Sequence, residues 1–177
     1  MPTKKWVIDT LHSEIRFKIK HLMISNVTGS FNKFEGTAET EENDFSKAKV
    51  NFRADISSID TGNEQRDGHL KTGDFFDTEN FPSLQFVSTA AEKGDDDDYT
   101  LYGDLTMRGV TKNIKLNVEA GGIAKDSYGN TKAGFTVTGK INRKDFGLTW
   151  SAVTEAGGLM LGDDVKIDCE VQLTEQA

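Results

Sequence analysis

Residues 67–77 read DGHLKTGDFFD, and with Arg66 they set a guanidinium, a lysine, His69 and the carboxylates of Asp67, Asp74 and Asp77 beside Phe75 and Phe76. Two chemistries could use such a set. An imidazole among carboxylates is raw material for general acid–base work, and the same charges around aromatic rings suit a polar lid over an apolar interior. The run TGNEQRDGHLKTG (61–73) predicts a short helix, with Thr61 or Asn63 as its N-cap and Gly73 as its stop. On that helix Arg66, His69 and Leu70 share a face, and Asp67 and Lys71 form an i,i+4 pair. Leu70, Phe75 and Phe76 would then border or plug an interior while Arg66 pairs with Asp67, Asp74 or Asp145. The cluster reads as a lid.

The other reactive side chains give little support to catalysis or metal chemistry. His12 and Ser13 are neighbours, and adjacent side chains on a strand point to opposite faces, so they form no dyad. His21 continues the inward phase of Ile15, Phe17 and Ile19, which makes it a candidate for the mouth of a cavity. No His-x-His pair or other ligand spacing links His12, His21 and His69, so no metal is expected. Cys169 lies in an apolar phase, where a thiol acts as a small hydrophobe. The run DDDD (95–98) lacks the spaced ligands and closing glutamate of a calcium loop and reads as a solvated hairpin tip. The sequence has no nucleophile paired with a base and no cofactor fingerprint; it is not expected to be an enzyme.

The elements that must position these residues are strands. Ile15, Phe17 and Ile19 alternate with Arg16, Lys18 and Lys20; Val50, Phe52, Ala54 and Ile56 alternate with polar neighbours. The same period of two runs through Ile114–Val118, Phe135–Ile141 and Val165–Leu173, and in shorter form through Leu84 and Phe86, Tyr99–Leu105, and Val27–Phe31. Alternation of this kind means antiparallel strands with one wet face and one buried face. About eight such segments suit an all-β sandwich or closed barrel, with one or two short helices at 61–73 and 151–161. A barrel of eight strands is either just filled by side chains or holds one small ligand. The inward positions include Ala54, Gly103, Ala120 and Gly139, which leave room or mark tight coiling; the pattern leaves both open.

Bulk properties narrow the partners. The 177 residues show no repeat or composition break and form one domain, 1–177. A formal charge of −8 argues against nucleic acid and disfavours docking on anionic lipid. One cysteine excludes an internal disulfide. MPTKKWVIDT has no apolar h-region, so a cytoplasmic location is expected, or a periplasmic one if a leader was removed. No segment has the apolar length for stable membrane insertion.

Read together, WVIDTLHSEIRFKIKHL (6–22), VTGSF (27–31), SSIDTGNEQRDGHLKTGDFFDTENFPSLQF (57–86), GDLTMRGVTKNIKL (103–116) and GKINRKDFGL (139–148) resemble the YceI-like, polyisoprenoid-binding family. The resemblance implies a lipocalin-like antiparallel β-barrel around an apolar tunnel for a long isoprenoid, quinone or fatty-acyl chain, and it suggests a homodimer. No cofactor is required. On this reading Phe17, Ile19, Phe31, Phe52, Ile56, Phe76, Leu84, Phe86, Leu105, Leu116 and Phe135 line the cavity, with His21, Arg66 and His69 at a head group or mouth. Arg143 and Asp145 match the family motif and read as a structural clasp. The function expected is carriage or sequestration of the lipid (polyprenyl phosphate, quinone or fatty-acyl); the rivals are an enzyme using the same cavity with His69 or His21 as base, and a filled structural or stress-response barrel.

Overall fold

The computed structural model describes residues 3–21, 24–73, 75–148 and 161–176, with the side chains of His21 and Leu161 outside that set. Its strands are β1 (Thr3–Ile8), β2 (Glu14–His21), β3 (Ser25–Phe31), β4 (Phe34–Glu41), β5 (Asp44–Asp55), β6 (Ile59–Asp60), β7 (Ser83–Lys93), β8 (Asp98–Met107), β9 (Val110–Lys125), β10 (Thr131–Asn142) and β11 (Leu161–Glu175). All pair antiparallel, and β1 closes onto β11, so β1-β4-β5-β7-β8-β9-β10-β11 form an eight-stranded ring. The fold is the expected closed barrel. Among the described residues it carries a single α-helix, α1 (Glu64–Leu70). The segment 151–161, expected to hold a second helical turn or a loop, falls outside the described residues, apart from Leu161.

The three strands outside the ring are continuations of strands within it. β11 is fifteen residues long; its C-terminal end pairs Leu173 with Ile8 of β1, and its N-terminal part pairs Ile167 with Phe17 of β2. Thus β1 and β2 are one wall strand broken at residues 9–13. β3 and β4 are likewise one strand broken at Asn32 and Lys33, and β5 and β6 one strand broken by a 3-10 turn, Ile56–Ser58. The breaks occur where Asp, Asn and Ser side chains offer the backbone local hydrogen bonds in place of the ladder. Ser58 Oγ donates to the Asp55 carbonyl at 2.6 Å and accepts from the Lys33 amide at 2.9 Å, which joins two of the breaks. Beyond this crease β2, β3 and β6 splay from the ring. The segment 61–82, which includes α1, connects β6 to β7.

Alternation foretold the wall strands through their apolar halves and passed over β1 and β4. The inward positions of β4 are Gly36, Ala38 and Thr40, small or polar, so no period of two is visible there. The helix is capped by Asn63, whose side chain accepts from the Arg66 amide at 3.0 Å, but it stops at Leu70 with Lys71 as C-cap, short of Gly73. Asp67 forms no pair with Lys71. Its carboxylate accepts instead from the amide and hydroxyl of Thr61, which ties the helix back to β6. The runs at 94–98 and 126–130 are the hairpin connections expected, with Asp126 accepting from the amides of Tyr128 and Asn130.

A polar stitch holds the first break. Lys132 Nζ donates to Asp9 at 2.6 Å and to Thr174 Oγ1 at 2.7 Å, and His12 Nδ1 lies 2.8 Å from the same carboxylate. The Lys132 hydrogen bond, aided by His12 and the Leu11 amide, outweighs burial and holds the Asp9 carboxyl well below the usual carboxylate range. Ser13 Oγ accepts from the Gln172 amide at 2.9 Å, so neither Ser13 nor His12 is spare for chemistry. A depressed carboxylate contributes stability above its unfolded value of about 3.9 and loses it as pH falls through the lower folded value. Asp9→Asn should therefore cost roughly 1–3 kcal/mol at neutral pH, with the deficit shrinking steadily below pH ~4; urea melts across that range test it.

Candidate functional site

A cavity of about 430 Å³ runs through the barrel, within the range of roughly 300–1,000 Å³ typical of small-molecule sites. The reason it stays open is local. Phe17 faces Gly29 across β2 and β3, and Phe52 faces Gly36 across β5 and β4. A Cβ on Gly29 would lie 2.4 Å from Phe17 Cζ, one on Gly36 3.3 Å from Phe52 Cδ2, and one on Gly103 2.3 Å from Phe86 Cζ. The rings of Phe17 and Phe86 therefore occupy the space that a Cβ would take on Gly29 and Gly103, and Phe52 packs closely on Gly36, as aromatic side chains do over strand glycines. For Gly103 and Gly139 the two open readings reduce to one: each receives a neighbour's side chain, Phe86 and Leu116 respectively.

One end is closed by aromatic packing. Phe45 stands 4.8 Å from Phe135 and 5.2 Å from Trp6, ring centre to ring centre, and Trp6 Nε1 donates to Thr40 Oγ1 at 2.9 Å. Sequence reading missed this plug, because Trp6 and Phe45 lie in short, polar-flanked stretches where one large side chain makes no pattern. The other end meets the 61–82 segment, where Leu70, Phe75 and Phe76 border the cavity, as expected of a lid. His69 also borders it, its ring edge-on to Phe75 at 5.1 Å.

Of the eleven positions expected to line the cavity, Phe17, Ile19, Phe31 and Phe52 do so from β2, β3 and β5. Phe76 does so from the lid, and Leu84, Phe86, Leu105, Leu116 and Phe135 from β7 to β10. Ile56 does not. It opens the 3-10 turn that breaks the fifth strand, and its side chain keeps the inward phase of Phe52 and Ala54, fully buried in the same hydrophobic cluster without bordering the cavity. Arg66 and His69 stand at the cavity together, and His21 ends β2, its side chain outside the described residues.

Of the carboxylates expected to pair with Arg66, Asp74 lies outside the described residues, and neither Asp67 nor Asp145 is its partner. Arg66 donates from Nε to Thr61 Oγ1 at 2.7 Å and from Nη2 to the Thr61 carbonyl at 2.6 Å; among the described residues no carboxylate lies within ion-pair range of it. Thr61 is the hub, bonded to both Arg66 and Asp67. Arg143 is 2% exposed and clasps backbone, from Nε to the Gly162 carbonyl at 2.9 Å and from Nη1 to the Leu148 carbonyl at 2.6 Å. Asp145 is exposed and outside this clasp. Burial lowers the Arg143 guanidinium pKa while the charge of Asp163 opposes that shift. Arg108, which sequence reading left unassigned, straps the same end by donating to the Gly147 carbonyl at 2.6 Å and the Gly73 carbonyl at 2.8 Å. It occupies an Arg-Gly turn with positive φ at both residues, a hairpin type that fixes its direction. Cys169 faces the cavity, and burial pushes its thiol up to about 11, so it is neutral and inert at physiological pH.

Comparison with known proteins agrees with this geometry. The YceI-like domain family matches residues 6–173. The UPF0312 protein SAS2572 of Staphylococcus aureus is 40% identical over 170 residues, covering 96% of each chain. The crystal structure of the Campylobacter jejuni YceI protein superposes with a TM-score of 0.77 at 35% identity, over 89% of this chain and 90% of that one. BcnA of Burkholderia cenocepacia has the same fold, with a TM-score of 0.79 at 21% identity over 93% and 98% of the two chains.

Two buried carbonyls depend on Arg143. Replacing it by Gln should destabilise the protein by about 2–4 kcal/mol, since charged hydrogen bonds are lost and buried acceptors are left unpaired. The urea midpoint reads this directly.

Proposed function

The chain belongs to the YceI-like domain family, and from that premise we propose that it binds one long-chain isoprenoid-type lipid in the barrel and carries or sequesters it. Polyprenyl phosphates, quinones and fatty-acyl chains are the candidates. The observation that supports this reading is the shape and chemistry of the cavity. It is elongated, walled by aliphatic and aromatic side chains, closed at one end by Phe45 and Phe135, and bordered at the other by the lid residues Leu70 and Phe76. A filled barrel would need its phenylalanines to meet in the middle; Phe17, Phe52 and Phe86 are drawn back onto glycines instead.

The energetics favour a long tail. Ten buried methylenes gain about 8 kcal/mol, enough to offset the lower part of the roughly 4–15 kcal/mol cost of association; a longer polyprenyl chain exceeds it more comfortably. Arg66 and His69 border the cavity beside Leu70 and Phe76, and they would orient a polar head at the lid. A polyisoprenoid binding domain of Saccharophagus degradans shares the fold (TM-score 0.65, 16% identity, 97% of this chain and 98% of that one).

The decisive experiment is organic-solvent extraction of the purified protein followed by mass spectrometry. A single co-purifying lipid with a long apolar tail is expected; an interior that remains empty after incubation with polyprenyl, quinone and fatty-acyl lipids would overturn the reading. Gly29→Ala provides a second test. The new Cβ displaces the Phe17 ring toward the cavity, so binding of a fluorescent long-chain fatty acid should weaken several-fold while circular dichroism stays unchanged.

A further inference from the structure

The outer wall carries a row of lysines that the ladder brings together from four strands. Lys18 of β2 stands directly opposite Lys166 of β11, and Lys166 directly opposite Lys140 of β10. Lys115 of β9 continues the row one position beyond the Leu116–Gly139 pair. Their neighbours in sequence, Phe17, Ile19, Ile167 and Leu116, line the cavity, so the lysines point outward. Lys20 lies two residues along on β2.

Side chains directly opposite on neighbouring strands are about 5 Å apart, and like charges at that spacing destabilise a sheet. Lys140 is relieved by Asp164 at 3.5 Å. Among the described residues Lys18, Lys20, Lys115 and Lys166 have no acidic partner in ion-pair range. A chain of formal charge −8 thus concentrates unpaired positive charge on one face. Asp164 and Asp168 flank Lys166 on the outer face of β11, but Asp164 is engaged by Lys140 and Asp168 lies 3.8 Å from Arg16. On the same face β2 presents Arg16, Lys18 and Lys20 in succession, so the row keeps a positive excess within the screening length of about 8 Å at physiological ionic strength. The local row, and not the net charge, is what an approaching surface meets.

Two residues beyond Asn26, which stands opposite Lys20, the β2–β3 turn presents Ile24, 82% exposed. Ile19 and Val27 are paired on the last cavity-lining rungs below that turn. An aliphatic side chain next to lysines suits a surface with anionic head groups over hydrocarbon; nucleic acid or an acidic protein would use the lysines but have no use for Ile24. We infer that Lys18, Lys115, Lys140 and Lys166 with Ile24 form a docking face for an anionic phospholipid bilayer, held on the wall where the cavity approaches the β2–β3 turn.

Each lysine near such a surface multiplies partition by about five. The test is vesicle co-sedimentation at low salt with phosphatidylglycerol–phosphatidylcholine vesicles and with phosphatidylcholine alone. The wild-type protein should bind the anionic vesicles only and release as salt rises. Lys18→Gln with Lys166→Gln should weaken binding at least about tenfold, and Ile24→Ser should weaken it without altering the salt dependence. The double variant should keep or raise the urea midpoint, because opposed charges are removed; a merely structural role for the lysines would lower it. Absence of binding to anionic vesicles, equal binding to phosphatidylcholine, full binding by the double variant, or retention of duplex DNA in place of vesicles would overturn the inference. Sedimentation reads the outer face alone, so a cavity that proves empty leaves this result standing, and failure to dock leaves the cavity reading standing.

Discussion

The open interior depends on the fit of phenylalanine rings to strand glycines. An eight-stranded barrel has room inside for its own side chains and little more, so a cavity exists only if large inward residues are prevented from converging. Phe17 on Gly29, Phe52 on Gly36 and Phe86 on Gly103 meet that condition. Each ring keeps its contact area by lying on backbone, and stability and vacancy are obtained from the same contact. The lid, the aromatic plug and the arginine straps act around a space that these three contacts keep clear.

Polar groups do structural work at the points where the sheet is interrupted. The three breaks in the first half of the chain lie side by side, and each is stitched by hydrogen bonds that Asp9, Ser13 or Ser58 accepts. They allow β2, β3 and β6 to splay, which makes room for the lid segment between β6 and β7. Arg143 and Arg108 then tie that end together through backbone carbonyls of residues 73, 147, 148 and 162. Arginine suits the task because its planar fork holds several acceptors at fixed angles.

The barrel also separates charge by height. Adjacent rungs of β11 carry Lys166, then Asp168, then Glu170 on the outer face, and the register aligns Lys166 with Lys18 and Lys140, and Glu170 with Glu14. A lysine rung and a glutamate rung therefore lie on the same wall, about 13 Å apart along the strand. Net charge averages over this pattern and conceals it.

Much of this protein can be read from sequence, because a period of two in apolar residues specifies both the strand and its inward face wherever large hydrophobics alternate. Phe17, Phe52, Leu116 and Phe135 were legible for that reason, and Asn63 as a helix cap because its side chain acts within three residues of itself. Ile56 keeps the inward phase that alternation specifies but is packed within the core away from the cavity, a distinction that alternation does not draw. The tertiary structure alone decided the partners of the charges: Arg66 with Thr61, Arg143 with Gly162 and Leu148, Lys18 with Lys166. Hydrogen bonds and cross-strand neighbours depend on register and on which ends of the chain meet, and those are set by closure of the whole sheet, so a local pattern carries no trace of them.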